Sequence, residues 1–143
     1  MRRPGLLLAA TLLATGCTSF ESDWKNAPTA VEDGVSGRWI GSWQNTNNTH
    51  GGALRAVVKP KGKDTYSARF HAEWGSHSGS FRTPLVGHFE SGDFVFQGSR
   101  RIVGVKITTQ GRVSTNRFEA TYDSAFDRGS FSLGRQGEGN AER

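Results

Sequence analysis

A single cysteine, Cys17, in 143 residues excludes any intramolecular disulfide, so the folded part of this chain must be held by its core. No apolar run approaches the ~20 residues that a membrane-spanning helix needs. The run from Leu6 to Leu13 is far too short. No stretch sustains the period of an amphipathic helix. Gly-x-Ser-x-Gly is absent, as are a phosphate-cradling glycine loop and a dinucleotide-binding pattern, which removes the usual signatures of serine hydrolases and nucleotide-binding enzymes. Proline is scarce, at four residues. Only Pro84 interrupts a strand-like segment, where its missing N–H predicts a bulge or a break.

What is present is alternation with period two. Tyr66, Ala68, Phe70, Ala72 and Trp74 fall on one face of a segment whose other face carries Ser67, Arg69, His71 and Glu73, the pattern of a half-buried strand. Seven further segments repeat it: 38–44 with Trp39 and Trp43, 53–59 with Leu54, Ala56 and Val58, 81–90 with Phe81, Leu85 and Phe89, 93–98 with Phe94 and Phe96, 102–109 with Val103, Val105 and Ile107, 116–123 with Phe118, Ala120 and Tyr122, and 129–135 with Phe131 and Leu133. Short polar and glycine-rich connections favour antiparallel hairpins in sequence order. The expected fold is therefore all-β, an eight-stranded antiparallel up-and-down meander. It either closes into a small barrel or packs as a two-sheet β-sandwich; closure removes the sheet edges and is the expected outcome.

The N-terminus explains the lone cysteine. Arg2 and Arg3 form a positive leader, Leu6 to Leu13 an apolar stretch, and Ala14-Thr15-Gly16 a small-residue approach to Cys17. This segment resembles the signal of bacterial lipoproteins, with Ala14 where leucine is usual. The resemblance implies cleavage after Gly16 and a diacylglyceryl group on the Cys17 thiol. Thr18 stands where an inner-membrane retention signal would place Asp, so the implied address is the cell envelope, at the periplasmic face of the outer membrane. Arg2-Arg3 also matches the start of a twin-arginine export signal. The domain plan is thus a signal at 1–16, a lipidated N-terminus and period-less flexible tether at 17–35, a barrel at 36–135 and a disordered tail at 136–143. Loss of the signal lowers the net charge from +5 to +3. The remaining basic residues are dispersed, apart from Lys59-Lys61-Lys63 and Arg100-Arg101, both expected in turns. Nucleic acid is not an expected partner; anionic lipid headgroups are the functional alternative for these clusters.

The first strand contains Gly37-Arg38-Trp39 and then Gly41-Ser42-Trp43. Gly-x-Trp on the opening strand of an eight-stranded meander resembles the lipocalin and calycin barrels, and also small Gly-x-Trp lipoproteins of environmental bacteria whose function is unassigned. The calycin likeness implies that Trp39 closes the barrel floor and that Arg135, ending the last strand, lies over it through a cation–π contact. It departs from that pattern in its short length and in lacking a helix after the last strand.

The inward parity carries twelve large rings: Trp39, Trp43, Tyr66, Phe70, Trp74, Phe81, Phe89, Phe94, Phe96, Phe118, Tyr122 and Phe131. They favour a filled interior, while Ala56, Ala68, Ala72, Gly87 and Ala120 leave room for a narrow slot. Trp43, Tyr66, Phe70 and Tyr122 are the candidate lining of such a slot, and its ligand class would be small and apolar or lipidic. His71 and Glu73 share an outward face, with His77 and His88 nearby in the meander, but no paired motif fixes a metal site. Ser22-Asp23-Trp24-Lys25 matches Ser-x-x-Lys only within the tether, and Gly75-Ser76-His77-Ser78-Gly79 has histidine in the nucleophile's place. Glu119, Asp123 and Asp127 read as strand faces and turn formers. No enzyme, cofactor or metal is expected. Two functions remain: a lipid-anchored module holding a small apolar ligand, or a solid barrel that docks an envelope protein.

Overall fold

The computed structural model describes residues 19–135. Cys17 with the signal, and the tail at 136–143, lie outside the described residues. Eight strands follow one another: β1 (Gly37–Asn45), β2 (Gly51–Gly62), β3 (Thr65–Trp74), β4 (His77–Glu90), β5 (Asp93–Ile102), β6 (Val105–Val113), β7 (Arg117–Asp123) and β8 (Arg128–Arg135). Each pairs antiparallel with the next, and β1 pairs with β8 from Trp39↔Arg135 to Asn45↔Gly129, closing the barrel. The fold is therefore all-β, and the closed barrel replaces the sandwich alternative.

Period-two alternation becomes inside and outside. The core gathers Trp39, Leu54, Ala56, Val58, Tyr66, Ala68, Phe70, Leu85, Phe94, Phe96, Phe118 and Leu133. Rings meet edge-on: Trp39 and Phe118 at 5.5 Å, Tyr66 and Phe94 at 4.9 Å, Phe96 and Phe118 at 5.5 Å. Each fully buried phenylalanine of this kind contributes about 1.5–3 kcal/mol relative to exposure. Of the twelve expected inward rings, Trp43, Phe81 and Tyr122 are half-buried and two are exposed. Trp74 and Phe89 lie at strand ends, where the enclosure runs out, and both are exposed.

Three local expectations are corrected. The segment 17–35 is not a period-less tether throughout, because Phe20–Asn26 forms a helix, α1. Ser19 caps it by accepting from Ser22 N at 3.1 Å. Phe20 and Trp24, four apart on one helical face, pack against Val57 on the outside of β2, with Ile40 and Ala27 alongside. A seven-residue helix with only two apolar anchors leaves too few turns for a periodic signal. Second, the fifth strand does not end at Gly98: β5 runs to Ile102, and the hairpin turns at Val103-Gly104. Both turn residues have positive φ, 49° and 81°, as a type I′ turn requires, and valine is not a residue that advertises one. Arg100-Arg101 consequently sits on strand, paired with Ile107 and Lys106, and β6 continues to Val113. Third, Pro84 makes no break. The β3–β4 register passes through Ser67↔Pro84 without a shift, whereas the paired register of β4 with β5 covers only Val86 to Glu90. The register irregularity falls instead between Pro60 and Gly62.

Candidate functional site

The meander places the odd-strand starts at one end of the barrel and the odd-strand finishes at the other, and the two ends are built differently. At the first end the chain preceding β1 crosses the opening. Asp33 holds it: Oδ1 accepts from Val35 N at 2.8 Å and Ser36 N at 2.7 Å, and Oδ2 accepts from Ser36 Oγ at 2.6 Å. Burial opposes ionisation of Asp33, but these donors outweigh it and hold the carboxyl below its ordinary range. Val35 and Ser36 are buried, and Trp39 Nε1 donates to Val35 O at 2.9 Å. The Arg135 guanidinium lies 3.9 Å from the Trp39 ring centroid and donates through Nη1 to Ser36 O at 2.8 Å. Burial lowers the Arg135 pKa, and the nearby Asp33 partly offsets it. The structure thus brings Trp39 and Arg135 together at a closed floor. Gly37 is what permits it: its φ is +118°, and a Cβ there would meet Arg135 Nη1 at 2.8 Å.

At the other end the side chains do not meet. A cavity of about 330 Å³ opens between them. Phe70, stacked on Phe81 at 5.3 Å and against Phe131 at 5.3 Å, forms its base. Trp43 and Trp74 form one wall, Ile107 and Tyr122 another, and Ala72 leaves space where a larger residue would fill it. Trp43 is fixed by Nε1 donating to Glu73 O at 3.0 Å. Thr109 and Asp127 are the other polar contributors to the lining. Asn45 Nδ2 donates to Asp127 Oδ1, which ties the β7–β8 turn to the end of β1.

Tyr122 is the unusual member. Its hydroxyl is buried and has no hydrogen-bond partner. It lies over Gly129, its cross-strand neighbour, where a Cβ would collide with Oη. Burial, aided by the charge of Asp127, pushes its pKa up to about 12. The site therefore offers a mostly apolar slot with a neutral phenol, a threonine and a carboxylate at its edge, an arrangement suited to binding one small apolar molecule.

Of the four candidate lining residues, Trp43, Phe70 and Tyr122 surround this cavity. Tyr66 does not: it is buried toward the closed end, opposite Leu85, with its ring on Phe94. Strand register separates it from the others, and parity alone carries no information on depth along the barrel. Asp127 was legible only as a turn former, because its reach back to β1 needs the β1–β8 closure. The outward histidines do not converge. His71 accepts or donates at Nδ1 with Ser80 Oγ at 2.8 Å and stacks under Phe20 at 5.1 Å. His88 pairs with Glu90 at 2.5 Å, eight residues along β4 from the partner of His71, or about 26 Å of strand. Among the described residues no group of three or more His, Cys, Asp or Glu side chains could hold a metal ion.

No protein-family model and no curated protein matches the chain. Solved structures do. A de novo designed fluorescence-activating β-barrel aligns at a TM-score of 0.55 and 15% identity over 75% of this chain and 100% of that one. A redesigned β-barrel, mFAP1, bound to DFHBI, aligns at a TM-score of 0.55 and 10% identity over 72% of this chain and 95% of that one. A mutant of the fluorescent protein UnaG aligns at a TM-score of 0.42 and 11% identity over 76% of this chain and 100% of that one. The two designed barrels share the fold of this chain, a small closed barrel.

Proposed function

We propose that this chain is a cell-envelope lipoprotein, anchored through lipid on Cys17, whose barrel is a non-catalytic binding module for one small apolar or lipidic molecule. The observation that carries the binding reading is the half-filled interior. The same strands that pack solidly around Trp39 and Phe118 leave about 330 Å³ between Trp43, Phe70, Trp74 and Tyr122. Packed interiors contain few voids larger than a water molecule, so a cavity of this size at a barrel mouth is best explained by an occupant. That mFAP1, a barrel of the same architecture, is bound to DFHBI supports the capacity of the fold for such a ligand. The anchor and the outer-membrane address rest on the leader sequence and Cys17.

Two experiments test these halves separately. Native mass spectrometry of residues 18–143, produced in the periplasm, is expected to reveal a reproducible added mass that denaturation releases. A clean apo mass under gentle conditions would count against binding and favour a docking role. Metabolic labelling with a fatty acid is expected to mark the full chain and not Cys17→Ala; equal labelling of both would overturn the anchor.

A further inference from the structure

We infer that the open end of the barrel is a membrane-docking face, so that the cavity mouth is pressed against an anionic bilayer surface. The inference rests on the anchor reading for one of its arguments and on the structure of the rim for the others.

Helix α1 sets the direction of the anchor. Helix α1 starts beside His71 and Arg55, where Phe20 stacks on the imidazole and Glu21 pairs with Arg55. It ends beside Arg38, which donates to Trp24 O at 3.4 Å, and the following residues reach Val58 and Pro60 near the closed end. The helix therefore points its N-terminus at the open end. Arg55 is four residues from the start of β2, about 13 Å of strand from the rim. Cys17 is two residues before Ser19, a reach of at most about 7 Å. Because α1 is docked on the barrel rather than loose, a lipid on Cys17 holds the open end near the bilayer.

The rim of the open end exposes apolar side chains. Val103, at the tip of the β5–β6 turn, is 97% exposed, Phe126 in the β7–β8 turn is 80% exposed, and Trp74 at the β3–β4 turn is 42% exposed. Three successive hairpin tips at one end thus present large apolar side chains to water. Val103 is costly twice over: it is a β-branched residue held at a φ of 49°, in a turn where asparagine would sit without strain. An exposed apolar residue that also strains the backbone is poor turn chemistry and good membrane-interface chemistry, as is a tryptophan at the same level.

The rim also carries positive charge. Arg100, Arg101 and Lys106 flank Val103. Arg100 donates to Arg82 O and Arg101 to Gly104 O, and among the described residues none of the three has a carboxylate partner. Of the carboxylates at this end, Asp123 is paired with Arg128 at 3.4 Å, while Asp127, hydrogen-bonded only to the neutral Asn45 amide, and Glu73 keep their charge against the three cations. Long cationic side chains around an apolar tip suit anionic headgroups, with the stems lying along the interface. The opposite end is sealed by residues 33–36; its exposed apolar side chains, Val31 at 38%, Val86 at 54% and Phe89 at 45% with its ring on Phe94 at 5.2 Å, stand out less than Val103 and Phe126 do.

The test uses the full acylated chain in vesicles of phosphatidylethanolamine and phosphatidylglycerol. A fluorophore is placed at the open end through Ala125→Cys, or at the closed end through Asn116→Cys, both exposed turn positions. Phospholipids with a nitroxide in the acyl chain then quench whichever label approaches the bilayer. The expected result is several-fold stronger quenching at position 125 than at 116, reduced when Val103→Asp and Phe126→Asp are combined. Equal quenching at both positions, or stronger quenching at 116, overturns the inference. The mass of the purified chain tells the two readings apart. If Cys17 carries no lipid, the anchor fails. The docking face is then decided by adding the same labelled chains, with Cys17→Ser, to the vesicles: selective quenching at 125 upholds it, and no binding or quenching at 116 overturns it.

Discussion

The two ends of this barrel are made from the same eight strands and differ in what the strands enclose. At the closed end a tryptophan, an arginine and a short crossing segment satisfy one another: ring under guanidinium, indole N–H on Val35 O, guanidinium on Ser36 O. At the open end Trp43 and Tyr122 stand apart around a void, and the Tyr122 hydroxyl has no partner. One end has the features of a structure optimised for stability. The other leaves a void with an unpartnered phenol beside it; among the described residues the other buried side-chain polar atom without a partner is Arg38 Nε.

Mutations should separate the ends. Trp39→Ala removes the floor and is expected to cost about 3–5 kcal/mol in chemical denaturation. A change below ~1 kcal/mol would show that Trp39 does not hold the core. Gly37→Ala forces a side chain onto a φ of +118° and against Arg135. Its expected cost is about 1–3 kcal/mol, read on the same instrument; a neutral result would remove the reason given for glycine there. Val103→Asn, at the open rim, runs the other way. It relieves a strained valine and should raise stability by about 1 kcal/mol, while membrane docking weakens. Ala72→Leu points into the cavity, so a change expected to be damaging in a packed core should here stay under about 1 kcal/mol.

Asp33 at the closed end and Tyr122 at the open end should also lose their contributions at opposite extremes of pH. Asp33 has a lowered pKa in the fold, so its contribution is present above its ordinary value of 3.8 and is lost as pH falls below it. Tyr122 has a raised pKa, so its contribution is present below the ordinary value of 10.0 and is lost as pH rises toward about 12. Tyr122→Phe should therefore flatten the alkaline loss of stability and leave the acid limb unchanged, and Asp33→Asn the reverse. Tyr66, raised by its own burial, leaves a residual alkaline slope. Denaturation midpoints across pH would show it, and identical alkaline limbs for wild type and Tyr122→Phe would remove Tyr122 from the account.

The closed end was the more legible of the two from residues alone. Gly37-Arg38-Trp39 and Arg135 sit at the first and last positions of the meander, so their meeting follows once the barrel closes. The open end depends on register, which alternation does not encode. Tyr66 and Phe70 share a face and a strand, yet one is buried near the floor and the other bases the cavity. The turn at Val103-Gly104 was hidden because valine in a left-handed conformation contradicts local propensity. Helix α1 was hidden because two aromatics docking on the outside of β2 resemble noise in a polar stretch. Both misses lie where tertiary context, or function, overrides the local signal.

The most direct test of the half-filled barrel is a titration of residues 18–143 with an apolar fluorescent probe, for wild type beside Ala72→Leu. Saturable binding to one site in the wild type, abolished by Ala72→Leu in a protein of unchanged stability, is the predicted result. No saturable binding, or equal binding by both chains, would contradict the claim that the space between Trp43, Phe70 and Tyr122 is a ligand site.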